Sequence, residues 1–171
     1  MRYALALMGL ALVAATAPSA ALAEGGNGYV ELRGGVAGAS GTSSETIGLA
    51  LGYDFDIGSQ AFLGAELVAD TDSSFADPIY GLNARLGFKS GERSKIFATL
   101  GYAWSNYSGV IAIPTGNGGA IAVPISGSYD DFAAGFGFQH DIGQSSYLSL
   151  QYQNYFDTGI NRASIGFGIK F

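Results

Sequence analysis

From Tyr29 onward, apolar and polar positions alternate with a period of two in eight segments: Tyr29–Val36, Thr46–Phe55, Ala61–Asp70, Ile79–Lys89, Lys95–Ser105, Tyr129–Gln139, Tyr147–Tyr155 and Arg162–Phe171. Successive side chains of a strand point to opposite sides, so each segment predicts a strand with two unlike faces. The second is the clearest. Ile47, Leu49, Leu51, Tyr53 and Phe55 share one face, and Thr46, Gly48, Ala50, Gly52 and Asp54 share the other. The last segment repeats the arrangement, with Ala163, Ile165, Phe167, Ile169 and Phe171 opposite Arg162, Ser164, Gly166, Gly168 and Lys170.

The polarity of the faces selects the surroundings. A soluble barrel fills its interior with apolar side chains and turns its charges outward. Here the aliphatic and aromatic face is uninterrupted by charge between its large residues, while glycine, alanine and nearly all the charged residues share the opposite face. Eight such apolar faces exposed to water would form a very large patch; against lipid they are the expected surface. About ten residues is also the length a tilted strand needs to cross a bilayer. The links run long (Ala37–Ser44), short (56–59), long (Thr71–Pro78), short (90–94), longest (Asn106–Ser128), short (140–143) and modest (Phe156–Asn161). Such alternation is the asymmetry of a transmembrane barrel with short periplasmic turns and longer outer loops. The predicted fold is all-β, an eight-stranded antiparallel up-and-down transmembrane barrel.

Two further expectations follow. With odd strands running outward, Tyr80, Tyr102, Trp104, Phe132 and Tyr152 gather at the outer edge of the apolar band, and Phe55, Phe88, Phe138, Phe167 and Phe171 at the inner edge. Paired aromatic girdles are what the two interfaces favour. Glu31, Arg33, Asp54, Glu66, Asp70, Arg85, Lys89, Asp131, Arg162 and Lys170 all fall on the inward face. An eight-stranded interior is only wide enough for side chains, and isolated charges there are costly, so these groups are expected to pair and plug the barrel. Glu66 with Arg85 is the first expected pair.

Composition agrees with an apolar setting. Charged residues are 13% of the chain and aromatics 13%, with 27 glycines, whereas an average soluble domain is about 25% charged. The net charge of −6, without a Lys/Arg cluster, argues against nucleic-acid binding. Cysteine is absent, which excludes disulfides, thiolate metal sites and cysteine nucleophiles. At the front, Met1-Arg2, an apolar run from Tyr3 to about Val13 and the small-residue end Ala21-Leu22-Ala23 predict a signal peptide over residues 1–23. Cleavage before Glu24 leaves residues 24–171 as one barrel domain.

Phe-Leu-Gly-Ala-Glu at 62–66 and Ile-Gly-Phe-Gly-Ile-Lys-Phe at 165–171, on top of the strand pattern, resemble the small outer-membrane barrels grouped with the OmpA transmembrane domain, OmpX/Ail and the opacity proteins. The resemblance implies a Gram-negative outer-membrane location and a porin-like, OmpA-like fold. It makes Phe167, Ile169 and Phe171 an assembly signal read by the barrel-assembly machinery, and lipid with lipopolysaccharide the surroundings. It implies envelope-structural, adhesive or resistance roles without choosing among them.

Catalytic chemistry finds little footing. Some eight-stranded barrels modify lipid A with a serine, a histidine and an acid near the outer leaflet. The one histidine here, His140, falls in an inner turn, so a serine hydrolase lacks its base there. A lone histidine is equally unsuited to zinc. Asp130-Asp131 and Asp70-Thr71-Asp72 sit at the outer rim, where solvated carboxylates or an oxygen-ligated cation are the two readings. Neither a catalytic residue nor a cofactor is assigned. The distinctive outer feature is the third long link: Ile111 and Ile113 before Pro114, and Ile121 and Val123 before Pro124, flank Asn117-Gly118, a strong hairpin signal. An uncharged hairpin there extends strands five and six and could dock onto a host or neighbouring-cell surface by edge pairing. The sequence therefore reads as a non-enzymatic envelope or surface-interaction protein, with a narrow channel as the competing function.

Overall fold

The computed structural model describes residues 25–39, 41–72, 78–114 and 120–171, with backbone alone for 72, 107–112, 114 and 125. The expected signal peptide and the hairpin tip at Asn117 and Gly118 lie outside the described residues. The eight strands are β1 (Gly26–Ala39), β2 (Thr42–Ile57), β3 (Ala61–Asp72), β4 (Ile79–Ser90), β5 (Ser94–Pro114), β6 (Ala120–Asp141), β7 (Ser146–Tyr155) and β8 (Asn161–Lys170). Each pairs antiparallel with its sequence neighbours, and β8 pairs with β1, so the sheet closes in the order of the chain. Closure leaves no sheet edge within the barrel wall, which is what a spanning β-structure requires.

Faces follow the predicted alternation. All ten girdle aromatics are exposed on the outer surface, as are Leu63, Leu82, Leu86, Leu100 and Leu150. The belts assemble by register. Tyr80 is opposite Trp104 and Tyr102 opposite Phe132, while at the other edge Phe88 is opposite Ile96, which is opposite Phe138. The last residue is knitted in as well: Gly28 and Phe171 exchange both backbone hydrogen bonds, at 2.9 and 3.1 Å.

Inside, the barrel is filled by aromatic as well as charged side chains. Tyr29, Phe62, Phe97 and Tyr147 are buried on the inward face, and glycines opposite them make the room. Tyr29 stands opposite Gly52 in the ladder, where an added Cβ would meet the phenol; Gly168 gives way in the same manner to the Tyr147 ring.

Two expectations are corrected. The link expected over Ala37–Ser44 is mostly strand, since β1 and β2 stay paired to Ala39 opposite Thr42. Alternation weakens there because both faces meet water, but backbone pairing needs no apolar face. Likewise most of the link expected over Asn106–Ser128 is strand, as the hairpin reading required. The links at one end, hereafter the turn end, are residues 58–60, 91–93 and 142–145. The opposite end is the loop end.

Candidate functional site

The interior is built on one cluster at mid-height. Arg33, on β1, donates from Nη1 to Glu66 Oε1 on β3 at 3.0 Å and from Nη2 to Glu66 Oε2, and its Nε donates to Glu31 at 2.5 Å. Asn83 donates to Glu66 Oε1 at 3.0 Å, and the Tyr29 hydroxyl donates to Oε2 at 2.8 Å. Every lone pair of that carboxylate is engaged, which is how a buried charge becomes tolerable. Arg85, 1% exposed, lies 3.6 Å from Glu66 and 3.7 Å from Asp54, and donates to the Tyr29 hydroxyl. The expected Glu66–Arg85 pair is therefore the looser contact, and Arg33 is the closer partner. The Arg85 guanidinium also stands 4.0 Å from the Phe97 ring centre and 4.8 Å from that of Tyr29. Cation–π attraction thus adds to its charge pairing.

Towards the turn end, Lys95 reaches Asp54 at 2.8 Å. Lys95 was not among the expected inward charges, although it shares the period of Phe97 and Thr99, the signal that would have found it. Lys89 and Lys170 are corrected in the other direction. They are half-buried at the turn-end rim, held by Asp56 at 2.7 Å and Asp141 at 2.5 Å, because their long stems carry the ammonium to the mouth.

Towards the loop end, Arg162 on β8 spans the lumen to Asp70 on β3 with two hydrogen bonds, one of 2.7 Å. Asp131 binds the link between β7 and β8, accepting from the Asp157 N–H at 3.0 Å, the Thr158 N–H at 3.1 Å and the Thr158 hydroxyl at 2.8 Å. Tyr129 donates to the same carboxylate at 3.1 Å. Tyr129 lies one position beyond the Trp104 level, and burial, with the Asp131 charge adding, pushes its phenol up to about 12. Alternation turns Asp130 to the opposite face, where it accepts from the Tyr102 hydroxyl at 2.8 Å. Asp130 and Asp131 therefore cannot close on one cation. Among the described residues no three carboxylate or imidazole groups are placed to share a metal.

His140, expected from sequence in a turn, is the penultimate residue of β6, because His140 still pairs with Leu148 and Asp141 with Tyr147. Its Nδ1 is 2.9 Å from Ser94 Oγ, on an exposed face at the turn end.

Beyond the wall, β5 and β6 continue as a two-stranded ribbon. Pairing with β4 stops at Trp104 and pairing with β7 stops at Ala133, yet β5 and β6 remain in register to Pro114 opposite Ala120. Nine pairs beyond Ser105–Tyr129 at about 3.4 Å per residue give a projection of about 30 Å. Ile113 and Ile121 face each other on it, both exposed, with Val123 half-buried. Of the expected loop residues, Ile111 is placed by backbone only, opposite Val123.

No family model and no curated protein sequence matches the chain. Solved structures do match in fold. The N-terminal β-barrel domain of Pseudomonas aeruginosa OprF superposes with a TM-score of 0.61 at 15% identity, over 85% of this chain and 97% of that one. Ail of Yersinia pestis, the attachment invasion locus protein, in complex with the heparin analogue sucrose octasulfate, gives 0.57 at 14% identity, over 86% and 100%. A de novo designed transmembrane β-barrel gives 0.57 at 12% identity, over 87% and 98%. The fold is that of small eight-stranded transmembrane barrels of the outer-membrane kind.

Proposed function

We propose that this chain is a non-enzymatic protein of a bacterial outer membrane whose work is surface interaction through the β5–β6 ribbon, with the loop end outside. The observation that carries the reading is the ribbon itself. Residues 106–128 contain no charged side chain, and both outer edges of the ribbon are unpaired among the described residues. An open strand edge offers backbone donors and acceptors to another extended chain. Pro114 and Pro124 remove donors at fixed points and so limit indiscriminate pairing.

Charge narrows the partner. The three lysines and Arg93 lie towards the turn end, whereas the exposed charges described at the loop end are the carboxylates Glu45, Asp130 and Asp157. A polyanion such as the one bound to Ail would meet repulsion here. A protein surface with a free strand, neutral or basic, fits better.

The test is adherence. A laboratory Gram-negative strain expressing the wild-type chain should bind epithelial monolayers or neighbouring cells more than the empty strain. A variant lacking Ile111–Pro124 should lose the gain while keeping heat-modifiable migration in the outer-membrane fraction. Equal adherence by both would overturn the role of the ribbon, and altered lipid A on expression would overturn the non-enzymatic reading.

A further inference from the structure

The two open edges of the β5–β6 ribbon are not equivalent. On β6 the ribbon runs from Ala120 to Ser128, with Pro124 at its midpoint. Proline has no N–H, and within a paired strand its nitrogen turns to the open side, so the β6 edge lacks a donor at its centre. On β5 the stretch from Asn106 to Ile113 holds neither a proline nor a charged residue, and Pro114 follows only at the tip. Among the described residues nothing pairs with the outer side of that stretch, since the ladder to β4 stops at Trp104. Strand edges exposed to water are ordinarily blunted by lysine, by proline or by cover. The β5 edge carries none of these over its length.

Such an edge takes an extended chain that has a free edge of its own and brings no opposing charge, and a second copy of this ribbon meets both conditions. Direction decides where that copy stands. β5 runs from the turn end to the loop end, away from its membrane. Two copies in one membrane would set their β5 edges parallel, whereas copies in facing membranes set them antiparallel, the more stable pairing. Antiparallel pairing within one membrane would need the β6 edge that Pro124 interrupts. A two-fold antiparallel pair puts one position opposite its own copy, where a charge would repel itself; Asn106 to Ile113 has no charge to do so. The loop-end carboxylates Glu45, Asp130 and Asp157 would repel their copies at close range. Two ribbons paired at their middles hold the rims about 30 Å apart, several times the screening length of about 8 Å at physiological salt. Given the surface-interaction role proposed above, we infer that the ribbon's partner is a second copy of this chain in a facing membrane, joined β5 to β5 as a four-stranded antiparallel sheet.

The test mixes cells of a laboratory Gram-negative strain with short lipopolysaccharide, labelled in two colours. Cells expressing the wild-type chain should clump with one another and exclude empty cells. Val110→Glu and Val110→Lys, at the middle of the β5 edge, should each abolish clumping when the strain is alone. The two strains mixed should clump again, because opposite charges then face each other. Ser126→Glu, on β6 opposite Ser108, should clump like wild type, since a whole strand separates it from the partner. Heat-modifiable migration in the outer-membrane fraction verifies that each variant is inserted. Empty cells recruited as freely as expressing ones, clumping by either Val110 variant alone, or no clumping in their mixture would overturn the β5 pairing. Adherence to epithelial monolayers without clumping of expressing cells would overturn self-recognition and leave the surface-interaction role standing, whereas neither adherence nor clumping would overturn both.

Discussion

Arg33 and Glu66, 33 residues apart in sequence, meet inside the barrel through two parallel hydrogen bonds, with Asn83 and Tyr29 completing the carboxylate's shell. Neither residue is more than 2% exposed. Removing one member leaves a buried charge uncompensated, which costs about 3–5 kcal/mol, whereas replacing the whole pair with apolar groups costs far less. Arg33→Met should therefore lower stability by about that amount in urea unfolding from lipid vesicles. Arg33→Met with Glu66→Leu together should be less damaging than the sum of the single changes.

The same cluster fills the lumen at mid-height, and Phe62, Phe97 and Tyr147 fill it towards the turn end. Reconstituted wild-type protein should give no stepwise conductance in planar bilayers at moderate salt. Regular unitary steps in wild type, lost on ribbon-independent blocking of the lumen, would replace the interaction role with that of a narrow channel.

The lipid-facing assignment is tested at Leu100, which is 60% exposed and stands between Ala84 and Ala134 in the ladder. Leu100→Arg should destabilise the inserted barrel by about 2–4 kcal/mol, the cost of a cation near the bilayer midplane. Unchanged stability would mean that this face does not meet hydrocarbon.

Close packing of interior aromatics on glycine sets up an internal control. An added methyl at Gly52 meets the Tyr29 ring and hydroxyl, while one at Gly34 meets open space on the outer face. Gly52→Ala should cost about 1–3 kcal/mol through overpacking, and Gly34→Ala should be close to neutral. Equal effects in equilibrium unfolding would contradict the packing of Tyr29 across β2.

The single imidazole tests the absence of hydrolytic chemistry in the proposed function. If the Ser94–His140 contact, which is exposed at the turn end, were a catalytic pair, Ser94→Ala would abolish any esterase activity of the purified barrel. No activity above the detergent blank is expected in either form.

What the sequence determined by itself was the division of each strand into a lipid face and a lumen face. Alternation is a local property of extended backbone, so Leu49, Leu51 and Phe55 could be assigned without knowing any neighbour. The closed antiparallel order was legible for a related reason: short links join adjacent strands, and only closure satisfies every backbone group in lipid. Partners inside the lumen were not legible. Arg162 finds Asp70 across 92 positions, and Glu66 prefers Arg33 to Arg85, because stagger and side-chain reach across a narrow lumen decide which charges meet. The ends were also decided only in three dimensions. Past the belts the hydrophobic pattern fades, yet β5 and β6 stay paired, since hydrogen bonding between two strands continues wherever register allows.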